Sequence, residues 1–348
     1  MKLFHCSHCE QLVYFENIQC VNCGRTLAYL PNLGEMGALV VAPDGRLTEA
    51  KSGAAYRLCA NYAQENVCNW ALPQDDVEPF CLSCRLNHTI PDLTVPGHRE
   101  AWARVELAKR RLVYTLLSLR LPVVPKTSDP VTGLAFEFLA DDPVAGTSVL
   151  TGHDEGRIVL NVAEADDAER EKRRLALGEP YRTLVGHFRH EIGHYYWDRL
   201  IKNGPRLAAF RELFGDETAS YDEALQRHYA QGAPADWQAL FITSYATMHP
   251  WEDWAETWAH YLHMADTLDT AAACGLALRP RRADEPALET SDGHATFDAM
   301  IADWFPLTHV LNNLNRGLGL GDGYPFVLST PAIAKLRFVH ETIVEAGH

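Results

Sequence analysis

Positive charge is scarce in this sequence: 31 Lys and Arg stand against 46 Asp and Glu, a net charge of −15. So acidic a surface repels phosphate, the main source of affinity for nucleic acids and anionic membranes, and neither is expected as a partner. Long apolar runs are missing as well. No stretch of about 18 apolar residues occurs, so no membrane span is expected. The opening Met1-Lys2-Leu3-Phe4-His5-Cys6 has no apolar segment behind its lone Lys, so no signal peptide is expected either. These absences make the cytoplasm the expected address, a compartment where thiols stay reduced. Apolar content of 47% argues against general disorder, and 348 residues suffice for two domains.

Cysteine is nearly absent beyond residue 84, where only Cys274 occurs, a residue expected to be a buried thiol. The other eight cysteines are concentrated before that point, and in a reducing compartment they suggest metal binding over disulfides. Cys6-Ser7-His8-Cys9 and Cys20-Val21-Asn22-Cys23 form a pair of CxxC knuckles, the spacing of a closed, structural four-cysteine zinc site. A redox CxxC does not normally come as a spaced pair. His5 and His8 flank the first knuckle as alternative donors. Cys59, Cys68, Cys81 and Cys84 supply a second set, with His88 as a possible replacement for Cys59 or Cys68. Between the sets, 37–41 and 56–58 read as short strands. A segment so small and polar gains from metal cross-linking. It is acidic too, which argues against the nucleic-acid role often given to zinc ribbons.

Pro91, Pro96 and Gly97 interrupt the chain before an amphipathic helix from about His98 to Leu121. Its apolar positions are Trp102, Val105, Leu112, Leu116 and Leu119, with Arg104, Lys109, Arg110 and Arg120 on other faces. A β region follows, in which 134–139 and 156–162 are expected to form a hairpin around a turn at His153–Gly156. An edge strand there could pair with an extended peptide. The helices at 207–214 and 221–229 are expected to form a wall beside the cleft. Near the end of the chain, helices are expected at 295–304, 307–318 and 331–344. The Gly317–Gly323 run lacks the Lys-Ser/Thr and the strand of a phosphate loop.

The chemistry centres on His190-Glu191-Ile192-Gly193-His194, an HExxH pattern. On a helix starting near Glu179-Pro180, positions 190 and 194 share a face, so both imidazoles reach one metal while Glu191 can act as a base. His187 is a rival donor, but using it would leave Glu191 without the base position. A hydrolytic zinc needs a third protein ligand and an open position. Trp197 and Leu200 stand where a metzincin needs Gly and His, which excludes that class. Asp198 is one acidic candidate. A better one lies in the helix opened by Pro250, where Glu252 and Glu256 share a face and Trp254, Trp258 and Leu262 form a separate stripe. One carboxylate can bind metal while the other orients a liganding histidine. Glu252 is preferred as ligand, with Glu256 and Asp253 as alternatives.

The whole chain resembles bacterial zinc-binding metallopeptidases with an N-terminal zinc-ribbon domain. The matching stretches are Cys6–Cys23, Cys81–Cys84, His190–His194 and Tyr245–His263. Its catalytic half is similar to the lethal-factor-like gluzincins, whose third ligand is the first Glu of an E-x-x-A-E helix. Here that helix is Glu252-Asp253-Trp254-Ala255-Glu256. The group also places a Tyr seven residues before that ligand, which matches Tyr245. The resemblance implies that Tyr245 hydrogen-bonds the tetrahedral intermediate or leaving group.

The expected fold class is α+β: a mainly helical zincin-like domain with a small β-sheet over 98–348, entered by a connecting helix at 98–122. A small zinc-ribbon-like domain over 1–97 precedes it. The expected activity is zinc-dependent peptide hydrolysis, with His190, His194 and Glu252 on a catalytic Zn²⁺, Glu191 as general base and Glu256 supporting a ligand. Two further zincs are expected on the cysteine sets, and a peptide or protein as substrate. The rival reading is a non-catalytic, zinc-stabilised scaffold for protein interactions.

Overall fold

Tight turns between short alternating segments make the N-terminal part a set of antiparallel strands. β1 (Phe4–His5) pairs with β2 (Leu12–Val13). β3 (Thr26–Leu30), β4 (Glu35–Val41), β5 (Leu47–Glu49), β6 (Ala55–Leu58) and β7 (Ala71–Pro73) form a five-stranded meander in chain order, with α1 (Ala60–Ala63) between the last two strands. These elements come from a computed structural model of the protein, which describes residues 2–141, 146, 149, 151–177, 182–282, 284, 287–289 and 296–347.

A second sheet has the order β10-β11-β9-β8, built from β8 (Asn87–Thr89), β9 (Ala135–Leu139), β10 (Gly152–Asp154) and β11 (Arg157–Asn161). The hairpin expected between 134–139 and 156–162 does not form, because β9 and β11 run parallel. The tight turn instead joins β10 to β11, using Glu155 at φ 45° and Gly156 at φ 82°. Two successive residues at positive φ match the twist of a two-residue hairpin. A side chain at Gly156 would also meet the Gly133 carbonyl. Among the described residues β10 is one edge strand and β8, which joins the sheet from the cysteine-rich part, is the other.

The helices are α2 (His98–Ser118), α3 (Asp167–Leu177), α4 (Leu184–Leu200), α5 (Leu207–Phe214), α6 (Tyr221–Gln231), α7 (Pro250–Ala273), α8 (Phe297–Gly317) and α9 (Thr330–Ala346). The fold is therefore α+β. α2 packs in the middle of the molecule: its Tyr114 ring is 6.1, 5.4 and 5.8 Å from those of Phe4, Phe15 and Tyr29. Lys109 and Arg110, expected on faces other than the apolar stripe, are buried. Lys109 reaches Glu106 at 2.9 Å and also hydrogen-bonds Asn87 on β8, so its charge has partners away from water. Two expected helices at 295–304 and 307–318 are one, α8, which continues through Pro306. The Thr308 hydroxyl donates to the carbonyls of Trp304 and Phe305 in the turn that Pro306 interrupts. Ala295 lies outside the described residues. Among the described residues, no helix is long and apolar enough to cross a membrane.

Candidate metal centre

The site lies where α4 crosses α7. Thr183 caps α4, its hydroxyl accepting from Gly186 N at 3.0 Å. The expected start at Glu179-Pro180 falls outside the described residues, and the described helix opens at Leu184. Phe188, Ile192 and Tyr195 bury one face of the helix, with Phe188 5.5 Å from the Phe136 ring of β9. α7 opens at Pro250 behind His249, whose Nδ1 accepts from Trp251 N and whose Nε2–H donates to Ala219 O, both at 3.1 Å. At the crossing, the Trp254 indole N–H donates to Gly193 O at 2.8 Å.

This crossing sets three donor atoms in a triangle. His190 Nε2 and His194 Nε2 are 3.2 Å apart, and Glu252 Oε2 lies 2.9 and 3.5 Å from them. Tetrahedral zinc with bonds of about 2.0–2.2 Å to nitrogen and oxygen has edges of roughly 3.4 Å, so the three atoms fit one ion. The hydrogen-bonding capacity of Oε2 is met by no donor of acceptable geometry among the described residues. Among the described residues, the group of candidate donors at this place is these three. Glu256 does not join the triangle: His190 Nδ1–H donates to its Oε1 at 2.7 Å, and the Thr243 hydroxyl donates to its Oε2 at 2.7 Å. Asp253 turns away to Lys335 on α9, at 2.5 Å. Asp198 pairs with Lys202 on the surface at 3.0 Å. His187 faces the buried Glu164, 3.7 Å away.

Three carboxylates make this pocket attractive to a cation. Burial pulls His190 down, but Glu252 and Glu256 outweigh it and hold the imidazole well above its ordinary value. Burial pushes Glu252 up, yet His194 and His190 hold it well below the carboxylate range. Burial raises Glu191, against the opposing pull of His190 and His194. The Tyr245 phenol, its ring 6.1 Å from that of His190, is raised by burial and then by Glu252, so it remains a protonated donor. His153 on β10 is lowered to about 3 by burial and next by His194, and stays neutral.

Both cysteine sets converge as well, each with its four sulfurs within 4.8 Å of one another. Cys6 and Cys23 are 3.7 Å apart, Cys9 and Cys20 3.6 Å, Cys68 and Cys81 3.8 Å. These separations are far beyond a disulfide bond, and they match the edge of about 3.8 Å in a ZnS₄ tetrahedron with bonds of about 2.3 Å. His88 stands apart, exposed beside Glu137. His5 and His8 are exposed and outside the group, and Cys274 is exposed where a buried thiol was expected.

Several neighbours of the site have no sequence signal. The Tyr221 hydroxyl donates to Glu252 Oε1 at 2.8 Å. Trp251 lies over His194 with ring centres 3.8 Å apart, and the His153 ring is 6.1 Å from that of His194. These contacts join segments distant in the chain, so no local spacing could announce them.

Comparison with known proteins gives two family matches. A zinc-ribbon domain model matches residues 3–95, and the model described as "putative zinc-binding metallo-peptidase" matches residues 98–342. The chain is 47% identical to uncharacterized protein Rv2568c of Mycobacterium tuberculosis and to uncharacterized protein Mb2598c of Mycobacterium bovis. Both alignments cover 100% of this chain and 96% of the relative. No solved structure gives a significant match. With a family match over most of its length, and donors set for metal at the α4–α7 crossing, the chain belongs to the zinc-binding metallo-peptidase family and carries a zinc-ribbon domain ahead of it.

Proposed function

We propose that the protein is a zinc-dependent peptidase whose catalytic ion is held by His190, His194 and Glu252, with two further zincs on the cysteine sets. The observation that carries this reading is the triangle of two imidazole nitrogens and a buried carboxylate oxygen, with Glu191 on the same helix. Zinc bound there supplies Lewis acidity and draws the pKa of a water towards neutrality. Glu191, raised by burial, takes a proton from the attacking water and passes it to the leaving amine. Tyr245, a protonated phenol beside the site, donates to the oxygen that gains charge as the carbonyl is attacked. Glu256 keeps His190 in the tautomer that presents Nε2. Among the described residues β10 is an unpaired sheet edge, its His153 ring 6.1 Å from that of His194, and it suits a substrate bound as an added strand.

The decisive experiment compares wild type with Glu191→Gln on a mixture of lysate peptides, profiling new N-termini and measuring zinc in both proteins. About three zincs per chain are expected in each, with new N-termini from wild type only. Equal cleavage by the variant would remove Glu191 from the mechanism. Two zincs and no cleavage in wild type would favour a scaffold.

A further inference from the structure

We propose that Tyr221 is a positioning residue that holds Glu252 to coordination through one oxygen, a proposal that rests on reading His190, His194 and Glu252 as the catalytic zinc site. A glutamate can bind a metal through one oxygen or both. Binding through both would raise the coordination number and crowd the position that a water needs in a hydrolytic site. In this protein the two oxygens of Glu252 are separated by their surroundings. Oε2 faces the two Nε2 atoms at 2.9 and 3.5 Å, whereas Oε1 accepts the Tyr221 hydroxyl at 2.8 Å. Glu252 is 2% exposed, so water does not compete for Oε1.

Tyr221 is itself anchored to the helix it serves. It is the first residue of α6, where the Ser220 side chain caps the helix by accepting from Glu223 N. The neighbouring Ala219 O accepts from His249 Nε2, and His249 is the N-cap of α7, three residues before Glu252. The Tyr221 ring also packs 5.4 Å from the His249 ring and 6.1 Å from Trp251. The hydroxyl and the carboxylate it holds therefore share one frame and cannot drift apart independently. Hydrogen bonds to ligating carboxylates fix their orientation, and their loss typically lowers metal affinity 10–100-fold.

The test uses the full chain with zinc retained on the cysteines. A mild chelator empties the third site in wild type, Tyr221→Phe and His190→Ala, and zinc or cobalt(II) is then titrated back. For Tyr221→Phe we expect zinc affinity at that site to fall about 10–100-fold. We also expect weaker visible cobalt(II) bands than in wild type, as the second carboxylate oxygen enters the coordination sphere and raises the coordination number. Retention of the two cysteine-bound zincs reports that the variant is folded. Unchanged affinity together with an unchanged cobalt spectrum would overturn the role of Tyr221. Lowered affinity with an unchanged spectrum would overturn the one-oxygen constraint. If His190→Ala takes up the third metal as wild type does, the zinc-site reading fails first, and this proposal with it.

Discussion

Gly193 and Ala255 meet where α4 crosses α7, so closely that a side-chain carbon on Gly193 would come within 3.0 Å of the Ala255 Cα. The same two turns carry His194 and Glu252, so the absence of side-chain bulk sets how near the donors come. Gly193→Ala should push the helices apart, costing about 1–3 kcal/mol and loosening the donor triangle. Thermal unfolding and zinc titration would check this. A variant as stable and as tight for the third zinc as wild type would mean that the crossing tolerates the methyl group.

Glu256 accepts from His190 on the side away from the donor triangle. Glu256→Ala removes the acceptor and should weaken zinc at the third site about 10–100-fold, leaving the cysteine-bound zincs in place. Elemental analysis after dialysis against a graded chelator reads both quantities. Loss of all zinc together would point to unfolding instead.

Lys335 and Asp253 form an ion pair buried between α9 and α7, with the ammonium 4.2 Å from the Phe241 ring centre. Lys335→Met leaves a carboxylate buried without its cation and should cost about 3–5 kcal/mol. Adding Asp253→Asn should recover much of that loss, because the stranded charge is gone. Denaturant unfolding of the two single variants and the double variant tests this. Strictly additive losses would contradict the pairing.

His260 is held down to about 4 by burial, partly opposed by Glu256, and its Nδ1 meets the Tyr324 hydroxyl at 2.8 Å. Below the unfolded value of about 6.5, the unfolded chain takes up a proton that the folded chain refuses until about pH 4. Its contribution to stability is therefore full above pH 6.5 and is lost as the pH falls towards 4. Calorimetry between pH 7.5 and 4.5 should show Tm falling more steeply in wild type than in His260→Asn. Parallel slopes would sink the assignment.

Removing residues 1–97 takes away β8, the Asn87 partner of Lys109 and the rings covering Tyr114. The fragment 98–348 should then expose apolar surface and aggregate or bind a hydrophobic dye. A soluble, protease-resistant fragment would show that the helical part holds its core alone.

Local spacing explains what was legible before folding. Two CxxC pairs place thiolates on facing turns, and HExxH places two imidazoles on one helical face, both through neighbours in the chain. The spacing of Glu252 and Glu256 likewise put both on one face of α7. Less legible was the β region, since alternation identifies strands but not their partners: β9 and β11 read as a hairpin and are parallel. The burial of Lys109 and Arg110 is illegible for a related reason. Charge implies exposure only until a buried Glu106 and Asn87 supply partners.

Residue order alone specifies most of the candidate metal donors in this protein, because the knuckles Cys6–Cys9, Cys20–Cys23 and Cys81–Cys84 and the pair His190 and His194 are each written within one turn or one helix, whereas Cys59 and Cys68 are brought together across α1 by the fold. Which acidic residue of α7 faces the histidines depends on how α7 lies across α4. That angle comes from Gly193 against Ala255, the Trp254 bond to Gly193 O and the Lys335 pull on Asp253. Tyr221, Thr243 and Trp251 enter the site by the same packing. Their roles arise from contacts between distant segments, which no periodicity in a single chain encodes.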